Sequence, residues 1–170
     1  MEKEKDKTIV AVSGGFDPIH IGHIRLFQNA KALGSELVVI LNNDNWLRKK
    51  KKHVFMPEEE RKEIIESIKG VDRVVLTKHK PNPADMSVCR ELEEIRPDIF
   101  AQGGDRNKED AENPSSSQNP EAALCKKLDI KIIYNVGHGG KVQSSSWLLN
   151  KYFEAKNISF DNQDRALRED

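Results

Sequence analysis

Short apolar runs alternate with longer amphipathic segments along most of the sequence, and this alternation is what most constrains the fold. Residues 8–12, Thr-Ile-Val-Ala-Val, are mostly apolar and β-branched, which is typical of a strand buried on both faces of a parallel sheet. Segment 22–33 then repeats apolar residues on one helical face, and Gly34 follows it. The opening of the chain therefore predicts a strand, a glycine turn and a helix.

The same pattern recurs through the rest of the chain. It predicts further strands at 37–41, 73–76, 98–101 and 130–134, and further helices at 57–68, 85–95, 121–128 and 144–153. Five strands alternating with helices predict an α/β fold with a doubly wound, open parallel five-stranded sheet of the Rossmann-like kind. The 170 residues suit one domain. We expect that domain at 8–153, between a flexible N-terminus at 1–7 and a polar tail at 154–170 that is poorly ordered from residue 161.

Three segments lack this periodicity and are predicted to be loops. Residues 42–56 are polar and strongly basic, residues 103–120 are rich in Asn, Ser, Pro and acidic side chains, and residues 137–143 contain three glycines. Each of them follows a predicted strand. Because ligands of open α/β sheets bind outside the carboxyl ends of the strands, we expect these loops to line the functional site.

Composition excludes several classes of protein. The 28 basic and 28 acidic side chains cancel, which argues against a protein that coats nucleic acid. The longest apolar run, 37–41, is far shorter than the roughly 20 residues of a spanning helix, and residues 1–7 lack the apolar stretch of a secretory signal. Cys89 and Cys125 form no C-x-x-C pattern, so we expect reduced packing residues and no protein-built metal site. A cytoplasmic protein without membrane contact is expected.

The segment most suggestive of chemistry lies between the first strand and the first helix, where residues 14–23 read GGFDPIHIGH. Gly14 and Gly15 let the backbone approach a phosphate, and the start of the following helix offers unpaired N–H groups to an anion. His20 and His23 lie three residues apart, so both imidazoles can face one point, which Gly22 leaves open. Such a pair suits a phosphoryl group that gains negative charge. A structural pair or two metal ligands are the alternatives, although no third ligand is evident.

This motif resembles the G-x-F-D-x-x-H-x-G-H signature of the cytidylyltransferase-like nucleotidyltransferase superfamily, which includes glycerol-3-phosphate cytidylyltransferase, the heptose-phosphate adenylyltransferases and archaeal FAD synthetases. The resemblance extends over residues 8–150, where further elements fall in family order: Glu59-Glu60-Arg61, Val71-Asp72, Pro97-Asp98, Gly103-Gly104-Asp105 and Ser144-Ser145-Ser146. It implies transfer of a nucleoside monophosphate from a nucleoside triphosphate to a phosphorylated acceptor, with pyrophosphate released and no covalent intermediate.

The resemblance also implies roles for individual residues. His20 and His23 would hold the triphosphate and stabilise the transition state at the α-phosphorus. Lys50 and Lys52 match the family's lysine positions and would neutralise phosphates as the basic loop closes. Arg61 would reach the site from the second helix and bind the nucleotide; its alternative is a solvated partner of the neighbouring glutamates.

The nucleotide-binding residues implied by the resemblance come from three places. The first motif contributes Gly14, Gly15, Phe16, Asp17 and Gly22, in addition to the histidines. The segment after the fourth strand contributes Gly104 and Asp105, along base and ribose, and Arg106, toward a phosphate or the acceptor. The start of the last helix contributes Ser144, Ser145 and Ser146, for which helix capping is the alternative.

Several points stay open in the sequence. Mg²⁺ is expected with the triphosphate, held mostly by phosphates and water, with Asp17 nearest its hydration shell. The basic loop slightly favours CTP, by its match to glycerol-3-phosphate cytidylyltransferase, whereas Pro97-Asp98 with Gly103-Gly104-Asp105 looks closer to the adenylyltransferases. A nucleotide-binding sensor without turnover and an RNA-binding role for residues 48–52 are the rival hypotheses. A homodimer is an expectation from the resemblance alone.

Overall fold

A parallel sheet of five strands forms the centre of the computed structural model, which describes residues 7–104, 106–137 and 143–156. The strands are β1 (Ile9–Gly14), β2 (Glu36–Leu41), β3 (Arg73–Leu76), β4 (Ile99–Ala101) and β5 (Lys131–Ile133). Their order in the sheet is β3-β2-β1-β4-β5, and each neighbouring pair is parallel. This arrangement confirms the predicted doubly wound, open parallel α/β sheet.

Helices cover both faces of the sheet, as alternating strand residues require. They are α1 (Ile21–Lys31), α2 (Asp44–Lys51), α3 (Glu58–Glu66), α4 (Cys89–Ile95), α5 (Lys108–Glu112), α6 (Asn119–Leu128) and α7 (Ser145–Ala155). Val10 and Val12 of β1 pack with Phe27 of α1 on one face, while Ala11 between them packs with Leu92 of α4 on the other. Among the described helices, none combines the length and apolar character that a bilayer crossing requires.

Two segments predicted as loops contain helices. In 42–56, the Asn43 side chain accepts from the Trp46 N–H at 3.1 Å and starts α2, whose single buried residue is Leu47. In 103–120, the Asn107 side chain caps α5 in the same way, and Ala111 is the one residue that α5 buries. One buried residue per helix leaves no apolar periodicity for sequence reasoning to detect.

The predicted helix at 85–95 begins only at Cys89. The Asp85 carboxylate accepts the Ser87 N–H at 2.9 Å, a local turn that competes with the helix. The expectations for residues 1–6 and 157–170 lie outside the described residues.

Candidate active site

A cavity of about 500 Å³ opens at the carboxyl ends of β1, β4 and β5. The start of α1 and the start of α7 form two of its walls, and residues around Gln102 and Arg106 form a third. The sheet order reverses between β1 and β4, so the cavity lies at the topological switch point where open α/β sheets bind ligands. Within it lie Gly14, Gly15, Phe16 and Gly22 of the glycine motif, together with both histidines of that motif.

His20 and His23 are stacked at the start of α1. Their ring centroids are 3.7 Å apart, with 24° between the planes. The Gly22 N–H donates to Nδ1 of His20 at 3.1 Å, and the His20 N–H donates to Nδ1 of His23 at 3.2 Å. Because each Nδ1 is an acceptor, this pattern assigns the proton of each neutral ring to Nε2. The helix capping that orients the rings thus also makes each of them a hydrogen-bond donor.

Burial keeps this pair neutral. It lowers the pKa of His23 to about 3, with smaller contributions from His20 and the Lys51 ammonium. Burial and Lys51 also lower the pKa of His20. Near neutral pH the cavity therefore presents two uncharged imidazole N–H donors rather than two imidazolium ions.

Phe16 packs against His23 of the histidine pair. Its ring meets the His23 ring edge-on, at 4.9 Å between centroids and 83° between planes, and meets Phe27 of α1 at 5.0 Å. Phe16 adopts φ of 50°, an uncommon conformation for a side chain of its size. A Cβ on Gly14 would lie 2.9 Å from the Phe16 ring, so glycine is needed where the strand ends above it.

Asp17 lies beneath the cavity wall and is fully buried. Its two carboxylate oxygens accept the Phe55 and Met56 N–H groups, each at 2.7 Å. It is not among the cavity-lining residues, so its position lends no support to contact with a nucleotide or with hydrated Mg²⁺. Instead, Asp17 anchors the segment after α2 to the glycine motif.

Of the lysines at the end of α2 and just after it, the described cavity wall includes Lys51 and not Lys50 or Lys52. Lys51 is half-buried, and its Nζ donates to the backbone carbonyl of Asp17 at 3.4 Å. Lys50 and Lys52 are exposed, and Lys52 ends the helix in a left-handed conformation with φ of 67°. Because the segment is helical, consecutive lysines face different directions, and the structure brings a different one to the cavity than sequence matching indicated.

Arg61 does not line the cavity, and its side chain is fully buried. Its guanidinium donates to the carbonyls of Gly15 and Asn42 at 2.7 Å and of Met56 at 2.8 Å, and to the Asp44 carboxylate at 2.6 Å. Neither the expected nucleotide contact nor the solvated alternative describes this position. Arg61 joins the segments that follow β1 and β2, which fixes the backbone beside the cavity.

The segment after β4 reaches the cavity through Gly104 and Arg106. Gly104 adopts φ of 68°, and a Cβ there would meet nothing within 4 Å. Arg106 donates from Nη1 to the Gln102 side-chain oxygen at 2.5 Å. Asp105, between them, lies outside the described residues.

All three serines at the start of α7 line the cavity. Ser144 is the N-cap, and its hydroxyl accepts the Trp147 N–H at 3.4 Å. The Ser145 hydroxyl donates to the carbonyl of Pro18 at 2.8 Å, which ties α7 to the turn after β1. Ser146 is exposed. Ser144 therefore caps α7, as the alternative held, and it also lines the cavity.

Sequence reasoning missed Lys51, Arg25, Asp110 and Gln118, all of which line the cavity. Arg25 was detectable, because it follows Gly22 by three residues on the same face of α1. Asp110 and Gln118 come from the segment around α5, which gave no periodic signal. Asp110 is the single carboxylate in the described cavity wall, and no group of three potential metal ligands occurs in the described part of the chain.

Comparisons with known proteins agree with this geometry. Residues 11–136 match the sequence model of the cytidylyltransferase-like family. The FAD synthase of Thermococcus kodakarensis is 37% identical over 107 residues, covering 62% of this chain and 68% of the relative. The bifunctional protein HldE of Koribacter versatilis is 34% identical over 105 residues, covering 61% of this chain and 20% of that protein. A solved structure, the lipopolysaccharide core biosynthesis protein of Thermoplasma volcanium, superposes with a TM-score of 0.60 at 28% identity, covering 78% of this chain and 98% of that one.

Proposed function

The chain belongs to the cytidylyltransferase-like family, and we propose that it transfers AMP from ATP to the phosphate group of a small acceptor, releasing pyrophosphate. Family membership confirms the resemblance and the nucleotidyltransferase class inferred from the glycine motif. The nucleotide, the acceptor and the residue roles are the proposal. The observation that carries it is the stacked pair His20 and His23, two neutral donors in a cavity at the start of a helix.

In the proposed reaction an oxygen of the acceptor phosphate attacks the α-phosphorus of the triphosphate in line with the leaving group. A bond forms between that oxygen and the phosphorus. The bond to the bridging oxygen of the β-phosphate breaks, and its electron pair leaves with pyrophosphate. Negative charge grows on the phosphoryl oxygens, where the Nε2–H groups of His20 and His23 and the Lys51 ammonium are available to stabilise it. No side chain forms a covalent bond to the substrate.

The charges of the cavity fit a nucleoside triphosphate that binds together with a cation such as Mg²⁺. Arg25, Lys51 and Arg106 provide three cationic side chains in the described wall, against the single carboxylate of Asp110. A nucleoside triphosphate carries more negative charge than these cations offset. One carboxylate does not build a metal cage, so in this proposal Mg²⁺ is held by phosphate oxygens and water, with Asp110 available to its hydration shell, and it neutralises phosphate charge.

Two observations favour ATP over CTP. The argument for CTP used the basic segment with Lys50 and Lys52, which are exposed and outside the described cavity wall. The relatives named FAD synthase support ATP, because making FAD from FMN is the transfer of AMP to a phosphate monoester. FMN is therefore our first acceptor. A sugar phosphate is the second, supported by the likeness to HldE and to the lipopolysaccharide core biosynthesis protein.

The experiment is a matrix of ATP, CTP, GTP and UTP against FMN, sugar phosphates and glycerol 3-phosphate, with pyrophosphate release and product mass as readouts. We expect release with ATP and one acceptor class. His23→Ala is expected to lower turnover by about 10²- to 10³-fold, the usual effect of removing one transition-state donor. The matched control is His79→Gln, because the His79 ring bonds Thr77 and Ser87 outside the cavity wall.

Other outcomes would contradict the proposal. Tight nucleotide binding without pyrophosphate release for any acceptor would identify a sensor. Salt-dependent RNA binding that disappears when Lys49 to Lys52 become alanine would support the nucleic-acid alternative. Turnover with CTP and not ATP would leave the chemistry intact and overturn the choice of nucleotide.

A further inference from the structure

The Arg106 guanidinium lies next to two buried side chains, those of Gln102 and Glu121. Its Nη1 lies 2.5 Å from the side-chain oxygen of Gln102 and 4.0 Å from Oε2 of Glu121. Gln102 is itself fixed by the end of the sheet, because its N–H donates to the Ile133 carbonyl at 2.8 Å and its carbonyl accepts the Val136 N–H at 3.0 Å. The guanidinium is thus bonded to a side chain whose backbone is hydrogen-bonded to the segment that contains β5 and the residues after it.

Glu121 lies in the first turn of α6 and is only 8% exposed. Its Oε1 accepts the Val88 N–H at 3.0 Å, and its Oε2 faces Arg106. It does not line the main cavity, so it has no direct part in the proposed reaction. Burial raises the pKa of Glu121, and the nearby Asp85 and Glu91 carboxylates add to the rise, while the Val88 N–H and the charge of Arg106 act against it. A buried carboxylate destabilises the fold unless it is paired, and the side chain that Oε2 faces is the cavity arginine Arg106.

We propose that Glu121 is a positioning residue for nucleotide binding: together with Gln102 it holds Arg106, whose remaining N–H groups contact phosphate oxygens of the nucleoside triphosphate. The inference rests on the proposed function for the identity of the ligand. An unrestrained arginine loses side-chain freedom when a ligand binds, and a restrained one has lost it beforehand. The restraint therefore increases affinity for the nucleotide without taking part in the chemistry at the histidines.

The test is a double-mutant cycle on the full chain. The Kd of a non-hydrolysable ATP analogue is measured by calorimetry for wild type, Glu121→Gln, Arg106→Ala and the double variant. Glutamine keeps the size and the acceptor for the Val88 N–H, but it replaces the oxygen that faces Arg106 with an NH₂ donor, which cannot accept from the guanidinium. We expect Glu121→Gln to raise Kd about 3- to 10-fold. Added to Arg106→Ala it should have no further effect, since Arg106 is the route by which Glu121 acts.

Glu36→Gln is the matched control. Glu36 at the start of β2 is a carboxylate whose side chain is 14% exposed and pairs with Arg73 at 3.3 Å, and it is not in the described cavity wall. Its variant should leave Kd unchanged. Steady-state kinetics add a second readout, because Glu121→Gln should raise KM for the nucleotide and change kcat less than about twofold. If the glutamine variant does not fold, Glu121→Asp takes its place in the experiment. Aspartate keeps the carboxyl group but places it farther from Arg106, so it should raise Kd by a smaller factor.

Three results would overturn the inference while leaving the proposed function standing. Glu121→Gln binds the analogue as tightly as wild type; or its effect adds fully to that of Arg106→Ala; or Glu36→Gln weakens binding by the same factor, which would indicate general loosening of the fold. A wild-type protein that binds no nucleoside triphosphate would instead overturn the proposed function, and this inference with it.

Discussion

Replacing Arg61 with alanine separates a structural role from a nucleotide-binding role. The family resemblance places this arginine on the nucleotide, whereas the structure buries it against three carbonyls and the Asp44 carboxylate. A group that contacts the ligand should change binding and leave stability nearly intact. A buried group of this kind should change stability first.

The size of the effect follows from what truncation leaves behind. Arg61→Ala removes four charge-assisted hydrogen bonds of 2.6–2.8 Å and leaves Asp44 as a carboxylate without its main partner. Breaking a buried ion pair on one side costs about 3–5 kcal/mol. For a chain of this size about 1 kcal/mol corresponds to a change in Tm of about 2–4 °C, so the variant should melt about 6–20 °C lower.

The assay is thermal unfolding followed by circular dichroism, with nucleotide KM measured well below the melting range. Arg90→Ala is the control, because Arg90 pairs with Glu94 at 3.3 Å on the exposed side of α4 and such pairs contribute about 0.5 kcal/mol or less. Its Tm should stay within about 2 °C of wild type. An Arg61→Ala protein that melts with wild type and shows a raised nucleotide KM would refute the structural assignment.

Three further predictions concern the cavity and its support. Lys51→Ala should lower kcat/KM tenfold or more, because this ammonium lines the cavity. Lys50→Ala should keep kcat/KM within about threefold of wild type, because an exposed charge is screened by solvent and salt, and equal losses in steady-state kinetics would contradict this assignment. The pKa of His23 is about 3 in the folded protein, against 6.5 in the unfolded chain, so the unfolded chain binds more protons between these pH values. The free energy of unfolding should therefore fall as the pH drops from 6.5. His23→Gln should flatten this pH dependence in urea titrations, and an unchanged dependence would count against the burial of His23. Asp17→Asn keeps one acceptor oxygen for two N–H donors, so hydrogen exchange should lose protection at the Phe55 amide or its neighbour, and full protection at both would refute the anchoring role.

The fold could be read from the sequence because the strands are the most apolar segments. The predicted strand at 73–76 coincides with β3, and the other four strands differ from prediction by a residue or two at their ends. Helix α2 was not predicted, because little in its own sequence indicates a helix. It is held by tertiary contacts, such as the bond from the Trp46 indole to the Met86 carbonyl at 2.9 Å, and contacts with distant segments leave no local pattern.

The residues of the site also fall into those that the sequence predicted and those that it did not. The glycine motif is contiguous in sequence, so its histidines could be predicted, and both line the cavity. Lys51 could not be chosen over its neighbours without knowing that the segment is a helix. Arg61 could not be placed either, because its partners at Gly15 and Asn42 come from segments that the folded sheet brings together. The sequence and its resemblance therefore indicated cavity residues in three segments, including Arg106 and the serines at 144–146, but they did not indicate the buried contacts that join segments, such as those of Arg61.

The bond from Ser145 to the Pro18 carbonyl spans 127 positions of the chain and has a consequence for biosynthesis. Synthesis of the five strands is complete at Ile133, whereas the wall that α7 contributes begins only at Ser144. A nascent chain that ends at Ile133 contains every strand and the glycine motif, and it lacks the serines that complete the cavity. The cavity wall is therefore complete only after Ser146 has been synthesised and α7 has packed on the turn after β1.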